Sequence, residues 1–459
     1  MFVKRDLLSK LSNRQYLIIN LLETPILSLL LASIIKFYNV DATNNEGYIF
    51  QNNPNIVVYI IMCVIIALFV GLTVSSEEII SDRKILKREE FLNLSRFSYL
   101  ISKVFILSII SAIQTFLLVS IGNYIIELKG MFFEYWLVLF SVSTFANILG
   151  LNISDSFKQA VNIYILIPFL IIPQIILSGV FISYDHLNPK YSNPDTIPWY
   201  GEIITARWAF EALTVHQFKN NDFEKNFYIY DKIKSEAHFK KEYWVPALQV
   251  KLNMCEKLLE SKASKQKIKY NLELLKHEIT DENTFGLLKL DIPFTKNLSY
   301  DKINQATLDE VKAYLNKKKT IYRKLFNDID HKLDAKKKAL TSTSHKRQQF
   351  NQQKKNYHNQ ELEQFVKNTS NIFSSKIIEY NGKLVQKIDP IFKEPQSRLL
   401  KAHFLSPFKK LGDFEIDTIW ANLIVIWFFN ILLFILLQMA LLKKLMYNFS
   451  EFYSRIKKE

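Results

Sequence analysis

Few residues of this chain have the types and spacing that catalysis, metal binding or cofactor binding requires. One acid, Glu23, lies inside an apolar stretch beside Pro25, where an ionised carboxylate costs a few kcal/mol and normally faces a cavity, a partner or another helix. Glu23 is either a functional group inside the membrane or a hydrogen-bonded residue at a proline kink, and both interpretations stay open. No catalytic triad, carboxylate pair or metal-ligand spacing stands out elsewhere in the sequence. We therefore expect no catalytic, cofactor-binding or metal site of the chain's own.

The densest set of charges near the apolar stretches lies in residues 77–97. This segment carries both signs and its apolar residues do not keep to one stripe, so a helix lying flat on lipid is poorly supported. A cytoplasmic connecting helix that contacts another protein fits the pattern better. The residues expected to make that contact are Glu77, Glu78, Arg83, Lys87, Arg88 and Glu89.

Six stretches are long and apolar enough to cross a bilayer, since about 20 residues match a hydrocarbon thickness of about 30 Å. They are residues 15–37, 56–76, 99–126, 132–151, 160–182 and 418–442. The fifth contains Pro168 and Pro173, which should bend or interrupt it. We therefore predict an all-α polytopic membrane protein. Its parts would be transmembrane helices one to five in 1–183, an outer re-entrant or interfacial segment in 184–220, an extracytoplasmic helical insert in 221–415, and the sixth transmembrane helix with a cytoplasmic tail in 416–459.

Lys and Arg residues in the short loops indicate the orientation. Four of them precede the first stretch, none lies in residues 38–55, and five lie in residues 77–96. Cytoplasmic loops carry the excess of basic residues, so we expect both termini to be cytoplasmic and the long insert to lie outside. The localisation expected is the plasma (inner) membrane.

Most of the formal net charge of +15 lies in residues 185–415, which hold 41 Lys and Arg against 29 Asp and Glu. Apolar residues spaced by three and four there, such as Leu248, Leu252 and Cys255, predict two or three long antiparallel helices that are partly coiled coil. Such helices either dock an extracytoplasmic partner, or they form a bundle whose Lys-rich faces serve only to keep it in contact with water. Nucleic acid is not expected, because no interleaved aromatic and basic motif occurs. Cys63 and Cys255 are expected to be free thiols.

Three features resemble the membrane domain of an ABC exporter of the ABCG (White) type. Residues 87–89 (Lys-Arg-Glu) followed by 98–103 are similar to that family's Arg-Glu pair and the start of its third span. A glycine after the fifth span and residues 207–212 (Arg-Trp-Ala-Phe-Glu-Ala) are similar to its outer re-entrant helices. The third feature is the layout of six spans with a long outer loop before the last. The motif residues in the outer segment are Gly179, Arg207, Trp208 and Glu211.

The resemblance implies a dimeric permease that moves an apolar or amphipathic cargo, such as a lipid, outward. No Gly-x-x-x-x-Gly-Lys-Ser/Thr motif occurs in the sequence, so ATP and Mg²⁺ would be bound by a nucleotide-binding ATPase domain or subunit outside it. A second copy or a related membrane domain is the other expected partner. In the family the second and fifth spans line the pathway, and the matching candidates here are Ile66, Phe69, Phe169 and Pro173.

The outer loop departs from the family, since it is several times the usual size. That departure motivates an alternative function, in which the protein relays ATPase motion to an extracytoplasmic envelope partner and moves no cargo through itself.

Overall fold

The computed structural model describes residues 2–40, 47–88, 95–157, 159–194, 196–261, 264–286, 289–370, 375–395, 397 and 399–456. These residues are mostly helical, with two short antiparallel hairpins, β1–β2 and β3–β4. The elements are α1 Phe2–Ser12, α2 Arg14–Ile35, α3 Ile56–Ser75, α4 Glu78–Arg88, α5 Arg96–Ile126, α6 Phe132–Ser156, α7 Ala160–Ile176, α8 Trp199–Ile203, α9 Thr205–Lys219, α10 Tyr228–Phe239, α11 Val245–Glu260, α12 Lys265–Phe285, α13 Gln305–Leu340, α14 Ser344–Tyr357, α15 Gln360–Val366, β1 Ile377–Tyr380, β2 Lys383–Gln386, β3 Phe408–Leu411, β4 Phe414–Asp417, α16 Thr418–Gln438 and α17 Leu441–Ile456.

Five helices within the described ranges are long and apolar enough to cross a membrane, namely α2, α3, α5, α6 and α16. The prediction of an all-α polytopic membrane protein with six spans is confirmed in part: the described residues are mostly helical and contain these five candidate spans. The predicted fifth span is shorter than expected: α7 has 17 residues, which at 1.5 Å per residue is about 26 Å. Pro168 and Pro173 lie inside α7, and the chain turns at Gly179 with φ of +79°. By length alone, α7 therefore does not add a membrane-crossing helix to the five above.

Helices α3 and α6 form the centre of the membrane part, and α2, α5, α7, α9 and α16 pack around them. Small residues allow their close approach. A Cβ added at Gly71 would lie 2.6 Å from the carbonyl oxygen of Ser143, and one added at Gly150 would lie 2.0 Å from the Oγ of Ser75. These two glycines therefore bring the backbones of α3 and α6 together over about two helical turns.

Hydrogen bonds between polar side chains join the central helices. The Asn147 Nδ2 of α6 donates to the Ser111 Oγ of α5 at 2.7 Å, and Ser111 is also bonded to Ser143 at 2.8 Å. The Tyr59 hydroxyl of α3 donates to the Asn123 Oδ1 of α5 at 2.9 Å. Because an apolar surface offers no other partners, such bonds set how the helices are rotated against each other.

The insert after α9 has a distal part with its own core. Helices α11, α12 and α13 surround Leu248, Leu275 and Leu315, all of which are fully buried. The Glu278 carboxylate of α12 accepts hydrogen bonds from the Trp244 indole at 2.8 Å and from the Leu384 backbone N–H at 2.7 Å. Hairpin β1–β2 is thereby attached to the three-helix unit.

The base of the insert shares the core of the membrane part. Leu362 and Val366 of α15 are buried in the same apolar cluster as α3 and α9. The rings of Phe365 and Phe210 meet edge to face with centroids 5.6 Å apart. The membrane part and the insert base therefore share one apolar core.

Candidate functional site

An ion cluster joins α1, α4 and α5 at the end of the membrane part opposite the insert. The Lys103 Nζ is almost fully buried and lies 2.8 Å from Asp6, 3.0 Å from Glu78 and 2.8 Å from Asp82. Lys10 pairs with the second oxygen of Glu78. One ammonium group from α5 therefore holds carboxylates from both α1 and α4.

Helix α4 is also attached to the C-terminal end of α6. The Ser154 Oγ accepts the backbone N–H groups of Ile79 at 3.0 Å and Ile80 at 3.1 Å. In the other direction, the Arg83 guanidinium donates to the carbonyl oxygens of Ser154 at 3.1 Å and Asp155 at 2.8 Å. A side chain of α6 thus satisfies free N–H groups at the start of α4, and a side chain of α4 satisfies free carbonyl oxygens at the end of α6.

Asp155 extends this attachment to the C-terminal part of the chain. Its carboxylate pairs with Arg96 of α5 at 2.9 Å and lies 3.6 Å from Lys443 of α17. Arg96 also donates to the carbonyl oxygen of Leu437 in α16 at 3.0 Å. The helix predicted to receive the ATPase is therefore connected, through the end of α6, to α5, α16 and α17.

The predicted contact residues divide into two groups. Glu78 and Arg83 are bonded within the chain, whereas Glu77 is exposed in the turn before α4, and Glu89 lies outside the described residues. The exposed residues of α4 after its first turn are Ser81, Lys84, Ile85, Lys87 and Arg88. The outward face of α4 is therefore basic rather than mixed in sign.

A second buried charge cluster lies at the insert end, around Glu211 of α9. Its carboxylate accepts from Arg207 at 3.1 Å, from Lys409 of β3 at 2.7 Å, and from Asn422 of α16 at 3.0 Å. The Leu405 backbone N–H donates to its other oxygen at 3.1 Å. One fully buried carboxylate thus joins α9, the insert base and the last membrane helix.

Arg207 is fully buried and uses its whole guanidinium group. It pairs with Glu202 at 2.6 Å, donates from Nε to the Gly201 carbonyl at 2.8 Å, and lies 3.7 Å from the centroid of the Trp208 ring. With Lys409 and Glu211 included, two cations meet two carboxylates. Buried charges are tolerated only when they are paired and hydrogen-bonded in this way.

The protonation of this cluster follows from burial and pairing. Burial lowers the pKa of Lys409 to about 8, although the neighbouring Glu211 carboxylate opposes the shift. Burial would raise the pKa of Glu211, but Lys409 and Arg207 hold it below its usual value. Glu211 is therefore a carboxylate that stays ionised, and the cluster is held by charge rather than by neutral hydrogen bonds.

Gly179 joins the turn after α7 to the same region. A Cβ there would lie 2.6 Å from the Tyr184 ring, and the positive φ also favours glycine. The Tyr184 hydroxyl donates to the carbonyl oxygen of Leu177 at 2.9 Å and lies against Gly201, whose carbonyl accepts from Arg207. The structure therefore brings together all four residues of the outer motif, because Trp208 and Glu211 contact Arg207.

Three of the four pathway candidates lie at the surface of the single chain. Phe69 is 38% exposed, Phe169 is 69% exposed and Pro173 is also exposed, whereas Ile66 is buried. Three of the four side chains therefore face lipid or another protein.

Glu23 is half-buried in α2, and the described part of the chain offers it no hydrogen bond or ion pair. The neighbouring Thr24 is buried, and its hydroxyl also has no partner among these residues. Nearby, the Gln114 amide of α5 donates to the Asn20 carbonyl at 3.0 Å. The structure thus places Glu23 beside the α2–α5 contact without assigning it a bond.

Sequence reasoning missed Lys103, Asp6, Lys409 and Asn422. For Lys103 a signal existed, because a lysine inside an apolar stretch calls for a partner. Lys409 gave no such signal, since it lies in a polar stretch 198 positions after Glu211.

These elements define a multi-pass membrane protein whose helices are fixed by a charge cluster at each end. Residues 1–218 match the model of a protein family described as ABC-2 type transporter. Over residues 1–218 this match confirms the resemblance to the permease domain of a type-two ABC transporter, and it supports a membrane component of an ABC transporter. Membrane domains of this family work with an ATPase partner. No curated protein matches the chain.

The matched region ends at Phe218. It includes the whole ion cluster of α1, α4 and α5, and it includes Glu211. Lys409 and Asn422, which complete the second cluster, come from the part of the chain that follows the match.

Replacing Lys103 with Met should detach α4. The change leaves the carboxylates of Asp6, Glu78 and Asp82 without their shared ammonium, which should cost on the order of 3 kcal/mol. We expect a lower midpoint of thermal unfolding in detergent and faster proteolysis in residues 77–97. Lys87→Met, which removes an exposed charge from α4, should leave both unchanged. Equal midpoints for the two variants would show that the cluster does not hold α4.

A double-mutant cycle should measure the bond between Glu211 and Lys409. Glu211→Gln and Lys409→Met each leave a buried charge with too few partners, so the two losses of stability should exceed that of the double variant by about 1–3 kcal/mol. Thermal midpoints of the four proteins give this difference. Lys410→Met, the next residue on β3, is the matched control and should not couple to Glu211→Gln. Simple additivity of the first pair would contradict the assignment.

Proposed function

We propose that this chain is the membrane-spanning part of an ATP-driven, ABCG-like exporter that works as a dimer. The observation that carries the proposal is α4, whose outward face is basic and whose inward face is bonded to α1, α5 and α6. A helix fixed in this way passes an applied force to its neighbours instead of bending. The ABC-2 family match supports an ATPase partner as the source of that force, because membrane domains of this family work with an ATPase.

The ATPase is proposed to dock on the exposed residues Lys84, Lys87 and Arg88, with Ile85 as an apolar contact among them. Glu77, exposed before α4, is the acidic residue proposed for the rim of this surface. Glu89, which lies outside the described residues, is kept as a proposed contact from its sequence position. A complementary acidic groove on the ATPase would give both specificity and fast association. ATP and Mg²⁺ would be bound by that partner, whether it is a separate subunit or a fused domain.

Six crossings with both termini in the cytoplasm are supported by the position of α7. Near its start, Tyr164 interacts with Glu77 in the turn before α4. Near its end, the Gln174 side chain accepts the backbone N–H of Ala206 in α9 at 3.0 Å. A helix that touches both ends of the membrane part serves as the fifth crossing even though it is short. The insert, with partly coiled-coil helices α11–α13, would then lie outside the plasma (inner) membrane.

A dimer is supported by exposed apolar residues on α3 and α7, two helices that pack against each other. These residues are Phe69, Phe169 and Pro173, and Ile66 lies one turn before Phe69 in α3. A two-fold axis beside them would place the pathway between two copies, or between this chain and a related membrane domain. Apolar walls of this kind suit a lipid or another amphipathic cargo.

The alternative, transmission of motion without cargo, is favoured by one observation. Glu211 and Lys409 join α9 to the insert base, and α13 with 36 residues extends about 54 Å. Motion of α9 would therefore reach far from the membrane, where an envelope partner could receive it. Stimulation of ATP hydrolysis by a transported cargo in a purified system would decide against this alternative.

Reversing the basic face of α4 should separate the motor from the permease. In the variant Lys84→Glu/Lys87→Glu/Arg88→Glu we expect at least tenfold lower transport in proteoliposomes and weaker association with the cognate ATPase, because like charges then face each other. The matched control reverses three exposed lysines of the distal insert, Lys312, Lys317 and Lys319. Transport and ATPase binding at the unmodified level in the α4 variant would overturn the docking assignment.

Cysteines placed on the proposed dimer face should cross-link two copies. Phe69→Cys and Phe169→Cys, each introduced alone, should give a disulfide-linked dimer in native membranes after mild oxidation. Ile19→Cys, which is exposed on the peripheral helix α2, should not. Monomer mass in native-lipid extraction, together with no cross-link at either phenylalanine position, would rule out this dimer.

A further inference from the structure

We propose that α14 binds anionic lipid headgroups on the insert side of the bilayer that this chain spans. This inference goes beyond the exporter function, and it assigns a membrane-surface role to one helix of the insert. It rests on three observations: the charge of the segment, its height relative to the membrane helices, and the fixation of its apolar side.

The charge of the segment is unusual even within the basic insert. Residues 335–360 contain seven Lys and Arg and no Asp or Glu, whereas the insert as a whole has 41 basic and 29 acidic residues. Helix α14 has no buried residue. An exposed, acid-free helix of this kind keeps its positive potential, because no neighbouring carboxylate within the segment neutralises it.

The end of α14 lies level with the ends of the membrane helices. It packs against the short turn Phe50–Asn52, which precedes α3. Directly after α14, the Asn359 amide donates to the carbonyl oxygens of Phe50 at 2.7 Å and Asn53 at 2.9 Å. The Tyr357 ring lies against Gly130, just before α6 begins. Headgroups begin where apolar membrane helices end, so the C-terminal end of α14 lies at the height of the headgroup layer.

The apolar side of α14 is fixed on the protein. The Phe350 ring meets the ring of Phe223 at a centroid distance of 5.3 Å and that of Phe227 at 6.2 Å. These contacts hold the middle of α14, while Lys346 and Arg347 one turn earlier remain exposed. The helix is therefore oriented before any ligand binds, which reduces the entropic cost of binding.

Not every basic residue of the segment is available. Lys336 is bonded to the carbonyl oxygen of Asn226 and lies 5.5 Å from the Phe227 ring centroid. The proposal therefore rests on Lys346 and Arg347 of α14 and on Lys338 in the last turn of α13, all of which are exposed. Within α14 no large apolar side chain is exposed, as the centre of a protein interface would require. Charge without apolar surface favours a headgroup layer over a protein partner.

The test uses the full chain in lipid nanodiscs with a fluorophore on Asn351→Cys, a position of α14 that is exposed. Both native cysteines are buried, so the introduced thiol reacts first. Nanodiscs of phosphatidylcholine alone are compared with nanodiscs that also contain phosphatidylglycerol. We expect the anionic lipid to protect the fluorophore from aqueous acrylamide, and salt to reverse the protection.

Lys338→Gln/Lys346→Gln/Arg347→Gln should raise the phosphatidylglycerol fraction needed for half-maximal protection by about threefold or more, because each basic residue near an anionic surface strengthens association about fivefold. The control Lys312→Gln/Lys317→Gln/Lys319→Gln removes the same charge from the distal part of α13 and should respond like the unmodified chain. The proposal fails if the two triple variants behave alike or if phosphatidylglycerol gives no protection. Protection in phosphatidylcholine by soluble polyglutamate, without an effect of phosphatidylglycerol, would instead identify an acidic polymer as the ligand and overturn the proposal.

Discussion

The arrangement of this protein depends on the cost of an unpaired charge away from water. Lys103 and Glu211 are both buried. Lys103 is surrounded by carboxylates from α1 and α4, and Glu211 is paired with Arg207 of its own helix and with Lys409 of β3. Breaking such a pair is far more costly than never having formed it, because one charge is left without compensation. The two residues therefore act as fixed points at opposite ends of the α3–α6 core, and they set the positions of the surrounding helices.

The two fixed points are linked by directly packed elements. After α3 the chain turns at Ser76 and Glu77 and enters α4, whose Glu78 and Asp82 bind Lys103. Helix α3 also packs against α9, which carries Glu211. A displacement of α4 therefore acts on α3 without an intervening loop of any length. This geometry provides one rigid path from the basic face to the insert base, which both candidate functions require.

The length of the apolar runs in the sequence predicted the membrane helices well, because a run of about 20 apolar residues is rarely found outside a membrane-spanning helix. Prolines explain the exception, since α7 ends at Ile176 soon after Pro173. The two hairpins were missed although Asn381 and Gly382 form a turn with positive φ at both residues, and Asn-Gly is a strong hairpin signal.

The partners of the buried charges could not be predicted in the same way. Lys103 and Asp6 are 97 positions apart, and Lys409 and Glu211 are 198 positions apart. No local pattern specifies which lysine meets which carboxylate at such a separation. Spacing predicted that residues 77–97 form a charged helix, but only the packing of α1 and α6 decides that Glu78 and Arg83 face inward.

The same packing explains how a large insertion is accommodated between the last two membrane helices. Lys219 at the end of α9 pairs with Asp417 at the start of α16 at 2.6 Å, so the insert leaves and re-enters the membrane part at one place. Because the entropic cost of closing a loop grows only with the logarithm of its length, the added residues cost little once these ends are together. The distal helices α11–α13 have their own core and can vary without disturbing the membrane part. Leu362 and Val366 cannot be removed in the same way, since the core shared with α3 and α9 would then be open to water.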